Sequence, residues 1–198
     1  MTTDEFRKQG HKVIDWLADY YEKIEEFPVL SQVKPGEIRA KLPKSAPENG
    51  RSYNDILNDM DLMMTGMTHW QSPNFHAFFP CASSGPAILA DIIATGTGIV
   101  GMLWETSPSC TEVEIHVLDW LVDMMGMPNK FKSSSKGGGV IQDTASSSTL
   151  ISLIGAREYA SNGEFNSIND STKLTAYVSS QSHSSIEKAI KVAGLGKD

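Results

Sequence analysis

At 198 residues, 40% apolar and 21% charged, the chain has the composition of an ordinary globular protein, long enough for one domain with a sizeable core or one domain plus an appendage. A formal net charge of −7 with no basic patch excludes a nucleic-acid or anionic-membrane surface, which needs clustered Lys and Arg. Cys81 and Cys110 lack a metal-ligand spacing, no apolar run approaches a membrane span, and the start "MTTDEFRK" lacks the order of an export signal, so a reduced, cytoplasmic protein without a metal site is expected.

The first expected element is an amphipathic helix. Thr2 and Glu5 have capping-box spacing, and Phe6, Val13, Leu17, Tyr20 and Ile24 follow along one face until Pro28 stops it. "VKPGEIRAKLPKSAPENG" reads as a linker with Pro-Gly and Asn-Gly turns around one short helical piece, and Ser52 then caps a second helix through Ile56 and Met60 toward Met64. Residues 1–65 thus read as helices on an arm without a core of their own, which packs on another chain or folds back on its own domain.

"THWQSPNFHAFFPCASSG" is an aromatic loop bounded by Pro73 and Pro80. Such loops are core plugs or pocket walls, and large apolar side chains are buried far more often than they touch a ligand. From Pro86, "PAILADIIATGTGIVGMLW" predicts an apolar helix with Ile88, Leu89, Ile92 and Ile93, ending around Gly96 and Gly98 and too apolar to stand exposed. "SPSCTEVEIHVLDWLVDMMGMP" predicts another, with Ser107 as cap, Pro108 in the first turn, acidic residues early to suit the dipole, Gly126 past the end and Pro128 beyond. His116 inside it has no second ligand at a useful spacing and reads as a surface or core histidine.

In "GGGVIQDTASSSTLISLIGAREYA" glycines, an apolar triplet and a run of hydroxyls succeed one another. The triplet reads as a buried strand, and Leu150, Ile151, Leu153 and Ile154 recur at helical spacing, which makes Asp143 to Ser146 a strand-to-helix turn. Thr144 and Ser146 hydroxyls beside the unpartnered first N–H groups of a helix suit an anion, phosphate above all. The same residues serve as ordinary helix caps, the reading this stretch favours by itself. A Gly-Lys-Ser/Thr ending and a dinucleotide glycine fingerprint are both missing. Further on, alternating Leu174, Ala176 and Val178 predict a second strand, then the turn "QSHSS" and a helix from Ser184 with Glu187 completing a capping box. Strand, helix, strand, helix opens an α/β layer with parallel strands, in which ligands collect at the carboxyl ends of strands. Both hydroxyl turns and His183 sit at such ends, though the strand candidates are too few to close a doubly covered sheet.

Four stretches in this order and spacing, "HWQSPNFHAFFPCASS", "WETSPSCTEVE", "GGGVIQDTASSSTL" and "SSQSHSSIEKA", carry a resemblance that runs from the first helix to the last residue. The chain resembles the amino-terminal portion of the group II pyridoxal-phosphate-dependent decarboxylases, the aromatic L-amino-acid decarboxylases above all. The resemblance implies an α/β fold, the fold-type-I PLP-dependent transferase fold, with residues 1–65 as an amino-terminal helical arm in dimer contact and 66–198 as the first part of the large PLP-binding domain. It implies pyridoxal 5'-phosphate (PLP) as cofactor, its phosphate held by Thr144, Ala145 and Ser146 and its ring faced by a catalytic His183. Trp70, Phe78, Phe79, Pro80 and Cys81 match the family's substrate wall, and Val100 and Met102 match residues that reach the neighbouring subunit's site in a homodimer. In the family the aspartate that pairs with the ring nitrogen, the Schiff-base lysine and the mobile catalytic loop fall beyond the matched segment. The expected partner is therefore a carboxyl-terminal remainder of the same enzyme, and the 198 residues alone are expected to be inactive.

The implied reaction is decarboxylation of an aromatic L-amino acid to the amine and CO2. Decarboxylation of another amino acid such as glutamate is the runner-up; no arginine lies between Trp70 and Cys81 to receive a distal carboxylate. A non-catalytic dimerisation fragment is a third reading, and a flavodoxin-like mononucleotide binder a fourth, whose phosphate loop would follow the first strand rather than a helical arm. Against the resemblance, Asp143 stands where a small residue is usual, Phe78 replaces a tyrosine, Cys81 a threonine and Gly85 a bulky aromatic, departures that bear on substrate preference rather than on the cofactor.

Overall fold

The capping box at the start of the chain forms as its spacing predicts: the Thr2 hydroxyl accepts the Glu5 N–H at 3.2 Å, and the Glu5 carboxylate accepts the Thr2 N–H at 2.6 Å. This starts α1 (Thr3–Glu22), which gives way to a 3-10 turn, Ile24–Glu26, before Pro28 is reached. The computed structural model describes residues 1–78, 83–167 and 173–196. Its packing falls into two units, Met1–Gly96 and Thr97–Asp198.

In the first unit α1 is followed by α2 (Glu37–Lys41), α3 (Tyr53–Asn58), α4 (Met60–Gly66) and α5 (Gly85–Thr97). Ser52 caps α3 through its hydroxyl, but the single helix expected from Ser52 to Met64 is two helices. They meet at Asp59, whose carboxylate is held by the Arg51 guanidinium at 2.6 Å. The unit does bury a centre. His69, 1% exposed, stacks on Phe27 at 4.8 Å between ring centroids, donates its backbone N–H to the Val29 carbonyl, and meets the Tyr20 hydroxyl at 3.0 Å through Nδ1. Burial, then the neighbouring Tyr21, holds the Tyr20 phenol above its ordinary pKa. The start of the aromatic loop is thus folded back on α1, whereas no residue of the apolar α5 is buried within the chain.

In the second unit, α6 (Pro108–Met124) ends as expected, with Gly126 at φ +64° and the Met127 N–H returning to the Val122 carbonyl. Its beginning differs. Ser107 occupies the cap position without a side-chain capping bond, and the first turn holds no acidic residue. Glu112 and Glu114 lie further along and face other partners, the Trp104 indole N–H at 2.8 Å and the Ile141 backbone N–H at 2.7 Å.

Asp119 of α6 ties down the following loop by accepting the Ser133 N–H at 2.8 Å and its hydroxyl at 2.5 Å. Those two bonds, helped by Lys132 and His116, hold the Asp119 carboxyl below its ordinary pKa. A folded-state pKa below the unfolded one gives a stabilisation that is present above the ordinary carboxylate range and is lost as pH falls through the depressed value. Asp119→Ala should therefore lower the melting temperature near neutral pH, with the gap to wild type closing as pH is taken down to about 3. A gap that stays constant over that range counts against the carboxylate as the cause.

Two further helices follow, α7 (Ala145–Ala160) and α8 (Ser184–Val192). The strands expected at 140–142 and 174–178 are not formed: the described residues contain helices and turns but no strand. A strand exists through its ladder, and here the backbone N–H of Ile141 is taken by a side chain, Glu114, rather than by a neighbouring strand. None of the described helices is long and apolar enough to cross a membrane.

Candidate active site

At the hydroxyl turn, Thr144 is extended (φ −145°, ψ 160°), and its Oγ1 accepts the Ser147 N–H at 3.2 Å, starting α7. Its carbonyl accepts the Ser148 N–H at 3.0 Å. The N–H groups of Ala145 and Ser146 and the Ser146 hydroxyl have no hydrogen-bond partner among the described residues, and Ser146 is exposed. Capping and anion binding, alternatives on the sequence, are thus compatible within one turn. Thr144 closes the helix while two amides and a hydroxyl stay available.

α8 starts differently from expectation. Its cap is His183 rather than Ser184, and the Ser184–Glu187 box does not form; Glu187 pairs instead with Lys191 at 2.8 Å. His183 Nδ1 accepts the Ser185 N–H at 3.2 Å and lies 2.8 Å from the Ser185 hydroxyl.

α7 and α8 pack on each other, with Ala189 and Ala193 of the second helix and its cap buried. At their carboxyl ends the Arg157 guanidinium donates to the Ala193 carbonyl at 2.7 Å, pairs with Glu158 at 2.6 Å and lies 4.5 Å over the Phe165 ring. Between the two helices a cavity of about 260 Å³ is walled by Ser146, Ser147 and Leu150 near the start of α7 and, along α8 from its cap to its last residue, by His183, Ser185, Lys188, Ala189 and Val192. Amino end meets amino end, so the helices run in the same direction and their positive dipole ends converge on one cavity. The donor set fits a phosphate ester carrying a flat ring: unpartnered amides and a hydroxyl for the anion, a cationic Lys188 in the wall, and an imidazole for the ring.

The cavity brings together Ser146 and His183 of the residues singled out by sequence; Thr144 and Ala145 adjoin it in the same turn. Ser147, Ser185 and Lys188 were not singled out. The signal for Ser185 was its position two residues after His183, the spacing at which a cap side chain reaches a helix amide. Val100 and Met102 lie in the same unit on an exposed loop, where the Thr106 hydroxyl donates to the Val100 carbonyl at 2.8 Å. Trp70 and Phe78 belong to the first unit. Trp70 stacks on Phe75 at 4.7 Å and Phe78 at 6.0 Å, and Phe78 is 88% exposed with φ +58°, in the left-handed region that a bulky residue rarely adopts. Phe79, Pro80 and Cys81 lie outside the described residues. His116 is an exposed helix residue edge-on to Trp120 at 4.7 Å, and no group of three or more metal-ligating side chains occurs among the described residues.

Residues 35–197 match the pyridoxal-dependent decarboxylase conserved domain. The chain is 46% identical over 196 residues to tyrosine decarboxylase 2 of Narcissus pseudonarcissus, covering 98% of this chain and 39% of that protein. It is 43% identical over 198 residues to phenylacetaldehyde synthase of Arabidopsis thaliana, covering 98% and 40%. Its fold matches the crystal structure of Catharanthus roseus tryptophan decarboxylase in complex with L-tryptophan with a TM-score of 0.90 at 42% identity, over 100% of this chain and 42% of that one. The chain thus spans about two-fifths of the length of the curated relatives it matches. With the domain match covering most of its length and the anion-ready turn and imidazole in one cavity, the chain belongs to the pyridoxal-dependent decarboxylase family.

Proposed function

We propose that this chain is the part of a PLP-dependent aromatic L-amino-acid decarboxylase that holds the cofactor's phosphate and one face of its ring, the whole protein converting its substrate to the amine and CO2. The observation that carries this reading is the cavity between α7 and α8 that has Ser146 and His183, from the starts of both helices, in its wall. The Ala145 and Ser146 amides, with the Thr144 and Ser146 hydroxyls, bind the phosphate, and two helix dipoles favour its charge. Bound PLP supplies an electron sink for the bond that releases CO2. The His183 imidazole, in the wall of that cavity, would face the ring and exclude water from that side.

Trp70 and Phe78 belong to an apolar substrate wall, and with no arginine in the sequence from Trp70 to Cys81 an aromatic side chain is favoured over an acidic one. Residues 1–65 are the arm of a homodimer, 66–198 begin the large domain, and Val100 and Met102 on their exposed loop reach the second subunit's site. The segments 140–142 and 174–178 join the sheet of the α/β, fold-type-I domain as strands when neighbours flank them.

A second reading, an oxidative conversion to the aldehyde, is favoured by the 43% identity to a phenylacetaldehyde synthase. Both are tested by supplying the complete protein and PLP with L-tyrosine, L-tryptophan, L-phenylalanine or L-glutamate and quantifying products. Equimolar amine and CO2 from an aromatic substrate is the expected result. Aldehyde with ammonia and hydrogen peroxide would assign the second reading, and turnover of glutamate alone would overturn both.

A further inference from the structure

We infer that Ser185 is the residue that positions His183, fixing its tautomer and the plane of its ring toward the cofactor, an inference that rests on the reading of the site given above. Helix caps favour Ser, Thr, Asp and Asn, whose short side chains reach the orphan amides; an imidazole in that place forgoes a stronger cap. What His183 gains is orientation. Its Nδ1 is approached by two groups of one residue, the Ser185 backbone N–H at 3.2 Å and the Ser185 hydroxyl at 2.8 Å, and no other described residue hydrogen-bonds the ring.

The two groups differ in what they permit. A hydroxyl donates or accepts, but a backbone amide only donates, and this one is aimed by the first turn of α8. Nδ1 must therefore offer its lone pair, the hydroxyl must donate as well, and the ring proton resides on Nε2. A histidine held in this way keeps one fixed face and one fixed donor for whatever occupies the cavity that both residues line. Ser185 touches neither cofactor nor substrate in this scheme and acts through the imidazole.

The test reads the imidazole directly. In the complete protein, labelled with 15N-histidine and free of cofactor, His183 should show an unprotonated Nδ1 and a protonated Nε2 at neutral pH. Ser185→Ala keeps the amide and removes the hydroxyl; the His183 signals should shift toward a tautomer mixture, while Ser185→Thr restores the wild-type pattern. With PLP bound, the visible circular dichroism of the cofactor should weaken in Ser185→Ala. The turnover number should fall about three- to tenfold, the range set by one neutral hydrogen bond, with KM nearly unchanged and the threonine variant again restoring both. Unchanged nitrogen shifts in Ser185→Ala would overturn the inference, as would a proton on Nδ1 in the wild-type protein, which decides the matter even where the alanine variant does not fold. A protein that binds no PLP but keeps the Nε2–H tautomer would overturn the proposed function and leave the Ser185–His183 coupling standing.

Discussion

Replacing Thr144 and Ser146 together by alanine is expected to weaken PLP binding by about 3–6 kcal/mol, from two hydrogen bonds to a charged group at about 1.5–3 kcal/mol each. That corresponds to roughly a hundredfold to ten-thousandfold in the dissociation constant. The single replacements should separate two roles. Ser146 has a free hydroxyl among the described residues and takes no part in closing α7, so Ser146→Ala should cost affinity and leave the melting temperature of the cofactor-free protein in place. Thr144 closes the helix through the Ser147 amide, so Thr144→Ala should cost affinity and also about 1 kcal/mol of stability. Thr144→Ser, which keeps the hydroxyl, should retain both. Equilibrium titration of the cofactor-free complete protein with PLP, alongside thermal unfolding, reads the two effects separately, and a double variant that binds PLP with wild-type affinity would remove the phosphate from this turn.

Deletion of residues 2–64 should abolish dimerisation, since α1 carries apolar side chains left exposed among the described residues. Phe6 on the first turns is 65% exposed. The deletion also strips Tyr20 and Phe27 from the buried His69, so a point variant is the cleaner measurement. Phe6→Asp leaves the His69 cluster intact. Burying a phenylalanine is worth about 1.5–3 kcal/mol, counted twice across a two-fold interface, and the dimer dissociation constant should rise roughly a hundredfold to ten-thousandfold. Sedimentation that finds dimers of undiminished affinity in both variants would take the arm out of the subunit contact.

What could be read from residue order was what depends on near neighbours. The Thr2–Glu5 box, the Gly126 stop of α6, and the hydroxyl turn ahead of α7 all follow from groups within five positions of one another, and they form as expected. Caps that depend on competition did not follow. Ser107 and Ser184 have the chemistry of caps, but the backbone leaves Ser107 without a capping bond and hands α8 to His183. The break at Asp59 has no Gly or Pro to announce it. Strands at 140–142 and 174–178 require partners remote in sequence, which periodicity does not supply. Of the candidate site, the hydroxyl-rich turn with Thr144 and Ser146 was legible as a local pattern that by itself favours a cap, and it was the family resemblance that pointed to phosphate and to His183. Ser185 and Lys188 became visible only when the parallel packing of α7 and α8 put both helix starts around one cavity.

Arg157 sits 157 − 146 = 11 positions beyond Ser146, or about 16 Å along a helix that rises about 1.5 Å per residue. Its guanidinium clasps the carboxyl end of α8, while Ser146 and His183 at the starts of the two helices border one cavity. Such a pair, joined at both extremities, opens to solvent as one cooperative unit rather than by independent fraying. Amide hydrogens along α7 and α8 should then exchange through a shared opening, that of the buried Ala193 included. Hydrogen exchange of α7 and α8 is thereby expected to report the two helices as a single unit.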